Sequence, residues 1–571
     1  MFPTPVRGPP PRHCRLSNRS QLVYPGRRRA QCLRGTLGRC QCSGLSQPVR
    51  SDPVRSSARS ASQPQAVLIV GAGPTGLALA LSLAKAGVAL RVVDSRRVPA
   101  TTSRAIGIQA RTLELLDLFG LANAFVSRGL QARAGNIYAG RRQLVHLDLS
   151  PLSSRFPFIL LLEQTETERL MTEALAGLGV HVERGVELMS FDQDAEGVTA
   201  YLCEPSGTPQ AARFAYMIGC DGAHSITRHG LGLGFTGRTL QQNFVLADLD
   251  VDWALSDDEF HIFTSPEGLM AIFPMRHGHR LIAEVPAPSR DSASDPTLAQ
   301  LRELAGQRVA TAISVANVRW SSFFRLNSRL ATRLQTGRIF LAGDSAHIHS
   351  PAGAQGMNTG IQDALNLGWK LALVLAGQAP TDLLKTYESE RYAVERAVLR
   401  NTEVLTRIVS LRAPILRFAR DLVAPRIARM DFVQTAARET ISEIAVSYRR
   451  RGLHAKIRDA NGLVAGDRLP DLAIEVDGNG PARRLYSELD PTRFTLLVLT
   501  SEDASSIDAE ITPMLSRQIA KLVVAQLPDS GPHRSHDEWF YLVRPDAYLA
   551  VHGPRSRIAQ AATWIELGFS G

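Results

Sequence analysis

Glycine and aspartate recur together at three widely separated places in the chain, and the first carries the most local information. Gly71-Ala72-Gly73-Pro74-Thr75-Gly76 follows the apolar run Ala66 to Val70 and precedes a helical pattern that runs through Ala86 and stops at Gly87. A continuous apolar run of this kind predicts a central strand of a parallel sheet, buried on both faces. At the turn that follows, Gly71 permits the tight bend, Gly73 lets backbone approach a pyrophosphate, and Gly76 lets helix and strand pack closely. Pro74 opens the helix, whose N-terminus offers free N–H groups to an anion. A second strand, Leu90 to Val93, ends at Asp94, where an acid can bind ribose hydroxyls. A turn that serves packing alone need not come with this order of strand, turn, helix, strand and acid, so a nucleotide site is predicted. Asp94 fits an adenosine with an unmodified ribose, as in FAD or NAD, and the spacing does not choose between them.

The second and third clusters lie far downstream. Arg338 to Ala342 reads as another apolar strand ending in Gly343-Asp344-Ser345-Ala346-His347, and the chain continues through Pro351-Ala352-Gly353-Ala354-Gln355-Gly356-Met357-Asn358 into a helix. The strand Tyr216 to Gly219 leads into Cys220-Asp221-Gly222-Ala223-His224-Ser225-Ile226-Thr227-Arg228. A hydrolase nucleophile elbow would need Gly where His347 stands, which excludes that chemistry. His347 and His349 could be metal ligands at i and i+2, but no acid or cysteine nearby completes a plausible set. They are read as structural or flavin-facing, and no metal site is predicted.

With these three motifs the chain, from about residue 65 to its C-terminus, resembles the class A flavoprotein aromatic hydroxylases. The resemblance is to the branch of phenol 2-monooxygenase and 3-(3-hydroxyphenyl)propionate hydroxylase. It chooses FAD, and it implies that Asp344 hydrogen-bonds the ribityl chain. Pro351, Gly353, Gly356, Met357 and Asn358 would line the isoalloxazine, where backbone donors and a helix N-terminus suit the negative charge of a reduced ring. Gly343 belongs to the same motif. Asp221, Gly222 and Arg228 would contact FAD and contribute to binding NADPH or NADH. Ser103-Arg104-Ala105 and Leu162-Glu163-Gln164 resemble two further flavin-contacting segments, which assigns Arg104 and Gln164. Two departures stand out: Ala354 replaces a commoner second glycine, and Thr227 a commoner apolar residue.

Outside its first residues the chain has no charge to drive phosphate-backbone binding. Residues 1–60 contain twelve Arg and one acid, Asp52, and so carry the whole net charge of +11; the other 511 residues hold 53 basic and 53 acidic side chains. No nucleic-acid partner is expected. The body has only Cys203 and Cys220, in no zinc or redox CxxC spacing, which indicates a reducing compartment and argues against a disulfide reductase. No second GxGxxG follows a strand, so no separate nicotinamide domain is predicted. Residues 1–64, rich in Arg, Ser, Pro and Gly, are read as a disordered or targeting tail. A cytoplasmic location follows, with organellar import the alternative if the tail is a transit peptide, although the prolines at 3, 5, 9, 10 and 11 oppose a presequence helix. The uncharged stretch Ala66 to Ala84 is long enough to span a bilayer, yet its glycines fit the strand and turn better, and no membrane span is predicted.

The expected fold is α/β: a Rossmann-like FAD-binding domain, an inserted antiparallel-sheet substrate domain, and a C-terminal thioredoxin-like domain. The FAD domain would occupy 65–235 and 330–400. Short alternating strands at Phe260 to Thr264, Leu269 to Pro274 and Arg280 to Val285 place the substrate sheet at 236–329, and a helical segment covers 401–455. Residues 456–571, with strands at Phe494 to Thr500 and Phe540 to Val543, contain no cysteine. They cannot exchange dithiols, and a structural role or a subunit contact, as in a homodimer, is expected. The resemblance implies an FAD-dependent monooxygenase that uses NAD(P)H and O2 to hydroxylate an aromatic substrate through a flavin C4a-hydroperoxide. No side chain needs to be a nucleophile, and no catalytic residue is assigned. Arg104-Ala105-Ile106-Gly107 contains no acid, which favours a larger, less polar ring than phenol. A reductase or epoxidase of the same superfamily, or a flavin-binding scaffold without turnover, is the alternative.

Overall fold

The computed structural model describes residues 66–102, 105–286, 295–349, 355–409, 413–449, 462–476, 481–500, 507, 511, 519–526 and 538–559. The expected tail lies outside them. The first predicted unit forms as its sequence dictates. Strand Val67–Val70 is buried throughout, and helix Pro74–Lys85 begins with proline in its first turn, where the missing N–H costs nothing. Strand Leu90–Asp94 then pairs parallel to Val67–Val70. Strand Tyr216–Gly219 pairs on the other side, also parallel, and Ile339–Leu341 pairs parallel beyond it. Strand Val182–Arg184 closes one edge of this six-stranded sheet, and Gln335–Thr336 closes the other. The three motifs therefore leave adjacent parallel strands at the same end of one sheet.

Close packing explains the small residues around it. A Cβ on Gly76 would lie 2.0 Å from the Gly71 carbonyl oxygen, and one on Gly368 would lie 2.3 Å from Ser82 Oγ. A larger residue at 368 would drive the helix Gly356–Leu375 and the helix Pro74–Lys85 apart, and one at 76 would push the second helix off the turn at Gly71.

The second sheet has eight strands, and its membership differs from the expectation of a single insert. Glu259–Ser265, Gly268–Met275 and Gly278–Val285 are short antiparallel strands, as expected. Beyond Gly278–Val285 the sheet continues through two strands of nineteen residues, Phe235–Trp253 and then Ile313–Ala331. The hairpin Ala134–Ala139 and Arg142–Asp148 also joins this sheet, through a parallel pairing of Ala134–Ala139 with Glu259–Ser265. No local pattern could reveal a partner so distant in sequence.

The C-terminal residues form a six-stranded mixed sheet in which Phe494–Leu499 runs parallel to Ile519–Gln526 and antiparallel to Trp539–Val543. Buried ion pairs fasten it to the rest. The Arg544 guanidinium donates to Glu390 at 2.7 and 3.0 Å and to Asp546 at 2.9 and 2.7 Å. Lys370 Nζ donates to the same Glu390 at 2.8 Å, and Arg111 reaches the Asp546 carbonyl at 2.6 Å. Removing one partner of a buried pair leaves an uncompensated charge, which costs about 3–5 kcal/mol. Arg544→Ala is therefore expected to lower unfolding stability by about that amount in urea; a loss well under 1 kcal/mol would show that these pairs do not hold the sheet in place.

Candidate functional site

A cavity of about 1260 Å³ opens where the motif-bearing strand ends meet the eight-stranded sheet. Of the predicted residues, Gly71, Gly73, Pro74, Asp94, Gln164, Asp221, Gly222, Asp344, Gly356 and Met357 line it. Sequence separations of up to nearly three hundred residues thus collapse onto one wall. Arg104, Pro351 and Gly353 lie outside the described residues.

Gly71 has φ +103°, and a Cβ there would lie 2.3 Å from the Cys220 carbonyl oxygen. A Cβ on Gly73 would meet no protein atom within 4 Å. One glycine is demanded by the turn, and the other leaves room for something the protein does not supply. Asp94 Oδ2 accepts from the Ala72 N–H at 2.9 Å, and Oδ1 accepts from the Arg96 N–H at 2.9 Å. Burial opposes ionisation of Asp94, but the Arg96 side chain and the two backbone donors outweigh it and hold the carboxyl below its ordinary value. Arg96, which also lines the cavity, was not anticipated; its position two residues after the strand-ending acid was the available signal.

The Asp221 carboxylate accepts from Ser225 Oγ at 2.6 Å and from the Thr227 N–H at 2.9 Å, so it orders the short helix Ile226–Gly230. Asp344 faces the cavity from a turn in which Gly343 has φ +62°. Gln164 Nε2 donates to Glu168 at 2.8 Å.

Four predicted residues stand behind the wall rather than in it. Gly76 serves the helix packing described above, and Gly343 turns the chain against Thr75. Arg228 is buried; it donates to the Ser345 and Ala223 carbonyls at 2.8 Å each and stacks on Phe235 at 3.9 Å. Its charge joins the second motif to the third. Asn358 accepts from the Gln109 N–H and donates to the Gly107 carbonyl, both at 2.9 Å, so its side chain fixes strand Gly107–Ile108.

His347 has acid neighbours that its own segment did not reveal. Its Nε2 lies 2.7 Å from Asp363 Oδ2 and 3.8 Å from a Glu395 oxygen, all buried. Asp363 also accepts from Arg391 Nε at 2.6 Å, so a guanidinium already balances this carboxylate. Burial opposes charge on His347, but Glu395 and Asp363 outweigh it and raise the imidazole to about 9.

The sheet wall answers which strand faces point inward. Phe260 and Ile262, then Leu269, Ala271 and Phe273, alternate into the cavity at period two, joined by Ile137, Phe244 and Ile282. None of the lining residues from this sheet is titratable. The helices Pro414–Ile427 and Asp431–Ile441 cover the remaining side through Ala428, Phe432, Val433 and Ile441. Sequence reading gave this segment its helices but no role in the site.

The donor set fits FAD: an open glycine turn, the helix N-terminus at Pro74, an acid at a strand end, and a second helix N-terminus at Gly356. The sequence profile of the FAD binding domain family matches residues 65–402. The chain is 34% identical over 515 residues to 6-methylpretetramide 4-monooxygenase of Streptomyces rimosus, covering 86% of this chain and 91% of that protein. It is 33% identical over 473 residues to pentachlorophenol 4-monooxygenase of Sphingobium chlorophenolicum, with 80% and 84% covered. The solved structure of the anhydrotetracycline hydroxylase OxyS from Streptomyces rimosus superposes with a TM-score of 0.72 at 31% identity, covering 88% of this chain and 99% of that one.

The buried imidazole makes a pH prediction. Its folded value of about 9 exceeds the ordinary 6.5, so the stability it contributes is complete below about 6.5 and is lost as pH rises through 9. Glu443, pushed up to about 8 by burial, acts in the same direction. The urea midpoint is expected to fall between pH 6.5 and 9, and to fall less in His347→Gln; a midpoint flat across that range in the parent protein would contradict the assignment.

Proposed function

Because the chain belongs to the class A FAD-dependent aromatic hydroxylases, we propose that it is a monooxygenase that uses NAD(P)H and O2 to hydroxylate a phenolic or polyketide-like ring. The observation that carries this reading is the pairing, in one cavity, of a nucleotide-binding wall with a sheet wall that has no titratable side chain. Such a wall can orient and desolvate a ring but cannot perform acid–base or nucleophilic chemistry on it. Bound FAD supplies the redox and oxygen-activating chemistry.

The residues divide the remaining work. Gly73 and the N-terminus of helix Pro74–Lys85 receive the pyrophosphate, and Asp94 holds the adenosine ribose. Asp344 bonds the ribityl chain, and Gly356 and Met357 present a helix N-terminus to the flavin ring. Gln164, Asp221 and Gly222 complete the cofactor wall, with Arg228 and Asn358 acting behind it. Arg104, Pro351 and Gly353 join the flavin site on the strength of the motifs alone. Phe260, Ile262, Phe273 and Phe244 take the substrate ring, and their size and polarity favour a polycyclic or halogenated ring over simple phenol. The names of two relatives, a 6-methylpretetramide 4-monooxygenase and a pentachlorophenol 4-monooxygenase, support that class. The nicotinamide binds transiently against the same cavity, since the sequence offers no second dinucleotide fold. We assign the parallel sheet of 65–235 and 330–400 to a Rossmann-like FAD domain, 236–329 to the substrate sheet and 401–455 to its helical cover. Residues 456–571 are assigned to a cysteine-free thioredoxin-like domain.

Two outcomes test this reading. The purified protein is expected to release FAD on denaturation, and Asp344→Ala to weaken FAD binding by about 1–2 kcal/mol, roughly 5- to 30-fold in Kd; an unchanged Kd removes Asp344 from the site. In stopped-flow reduction, NAD(P)H oxidation is expected to rise at least ~10-fold with the right ring, about 1.4 kcal/mol off the barrier. Fast reduction without any ring, with peroxide as the product and no aromatic hydroxylated, would assign the chain to the reductase alternative.

A further inference from the structure

The helix Pro414–Ile427 carries its polarity the wrong way round for a helix on a soluble surface. Arg420 turns toward the protein, where it donates to Thr264 Oγ1 at 3.0 Å and pairs with Asp421. Ile415, Leu416, Phe418, Leu422, Val423 and Ile427 point outward, Ile415 at 82% and Phe418 at 72% exposure. The apolar face continues through Met430 to Phe432, 68% exposed, at the start of the next helix. Eight of the fourteen large apolar side chains exposed among the described residues fall between 415 and 432, so this is one patch and not scatter.

The surroundings of the patch say what covers it. Thr264, the anchor of Arg420, is in register with Ala139, which pairs with Arg142, so the exposed Arg142 lies beside the middle of the helix. Arg426 and Arg429 are exposed at its end, and the exposed acids of the two cover helices are Asp431 and Glu439. An apolar helix face rimmed by arginine is the composition that seats in the headgroup layer of an anionic bilayer. A second copy is a poorer occupant, because a two-fold contact would set the same three arginines against one another. Phe432 and Ala428 belong both to this hairpin and to the wall of the cavity, so a bilayer on this face would lie beside the cavity wall.

We propose that the outer face of the two cover helices docks on an anionic lipid surface, from which an apolar ring passes into the cavity. The passage of the ring rests on the function proposed above; the docking does not, and it is measured without substrate or turnover. The full chain is mixed with vesicles of phosphatidylcholine alone or with a minority of phosphatidylglycerol, and bound protein is separated by flotation. Binding to the anionic vesicles is expected, weakening as salt rises. It should fall at least ~10-fold in Ile415→Glu/Phe418→Glu and in Arg142→Glu/Arg429→Glu, with thermal midpoint and FAD content unchanged. The second pair tests the rim should the first fail to fold. Protein that floats with neither vesicle overturns the proposal. A dimer in sedimentation velocity that Ile415→Glu/Phe418→Glu splits, without vesicle binding, also overturns it and gives the face to a second copy.

Discussion

The Asp363 carboxylate, deep in the helix Gly356–Leu375, accepts from the Gly343 N–H at 3.1 Å, lies 2.7 Å from His347 Nε2 and accepts from Arg391 Nε at 2.6 Å. These three partners come from a turn, a strand and another helix. A carboxylate this deep persists only if charges and donors compensate for the water it has lost. Satisfying it therefore forces the 343–349 segment against the helix, and this places Asp344 and His349 on the cavity while Gly356 and Met357 open the helix beside them. Arg391 extends the constraint, since it also donates to the Thr359 carbonyl and to the Tyr448 hydroxyl, at 3.1 Å each. The cofactor wall is thus rigid because one buried charge must be neutralised from several directions.

That dependence explains what the sequence could and could not reveal. The unit from Val67 to Asp94 was legible because its physics is local: an apolar run, glycines that a turn and a close contact require, and an acid at a strand end. Asp221 and Asp344 were legible for the same reason, each lying at the end of an apolar strand. Arg228 and Asn358 have the right types in the right motifs, yet their side chains turn away from the cavity to bond the Ser345, Ala223 and Gly107 carbonyls. Those acceptors appear only once the chain is folded. Asp363 and Glu395 escaped notice beside His347 because an acid sixteen or more residues away in sequence is visible only in space.

The sheet wall was legible in its alternation but not in its direction. Phe260, Ile262, Leu269, Ala271 and Phe273 keep period two, and a slip of one residue would have turned the opposite set inward. What decides the matter is the parallel pairing of Ala134–Ala139 with Glu259–Ser265, together with Gly135, where a Cβ would strike the Phe260 ring at 2.1 Å. A small residue on one strand makes the space that an aromatic ring on the next one fills.

The cover obeys a different economy from either wall. Among the described residues the helix Asp431–Ile441 has no buried side chain, although Phe432, Val433 and Ile441 line the cavity. A helix held by so little apolar contact sits at the low end of local stability. Its fixed points are polar: Gln434 Nε2 donates to the His146 carbonyl at 3.0 Å, and Arg438 Nε donates to the Asp148 carbonyl at 2.7 Å. An apolar ring in the cavity would bury the inner face of this helix and supply the contact it lacks. The energy of ordering the cover would then be drawn from ligand binding, which would couple affinity for a ring and order in the cover in one equilibrium. The cofactor wall, pinned through Asp363, has no such dependence on a ring.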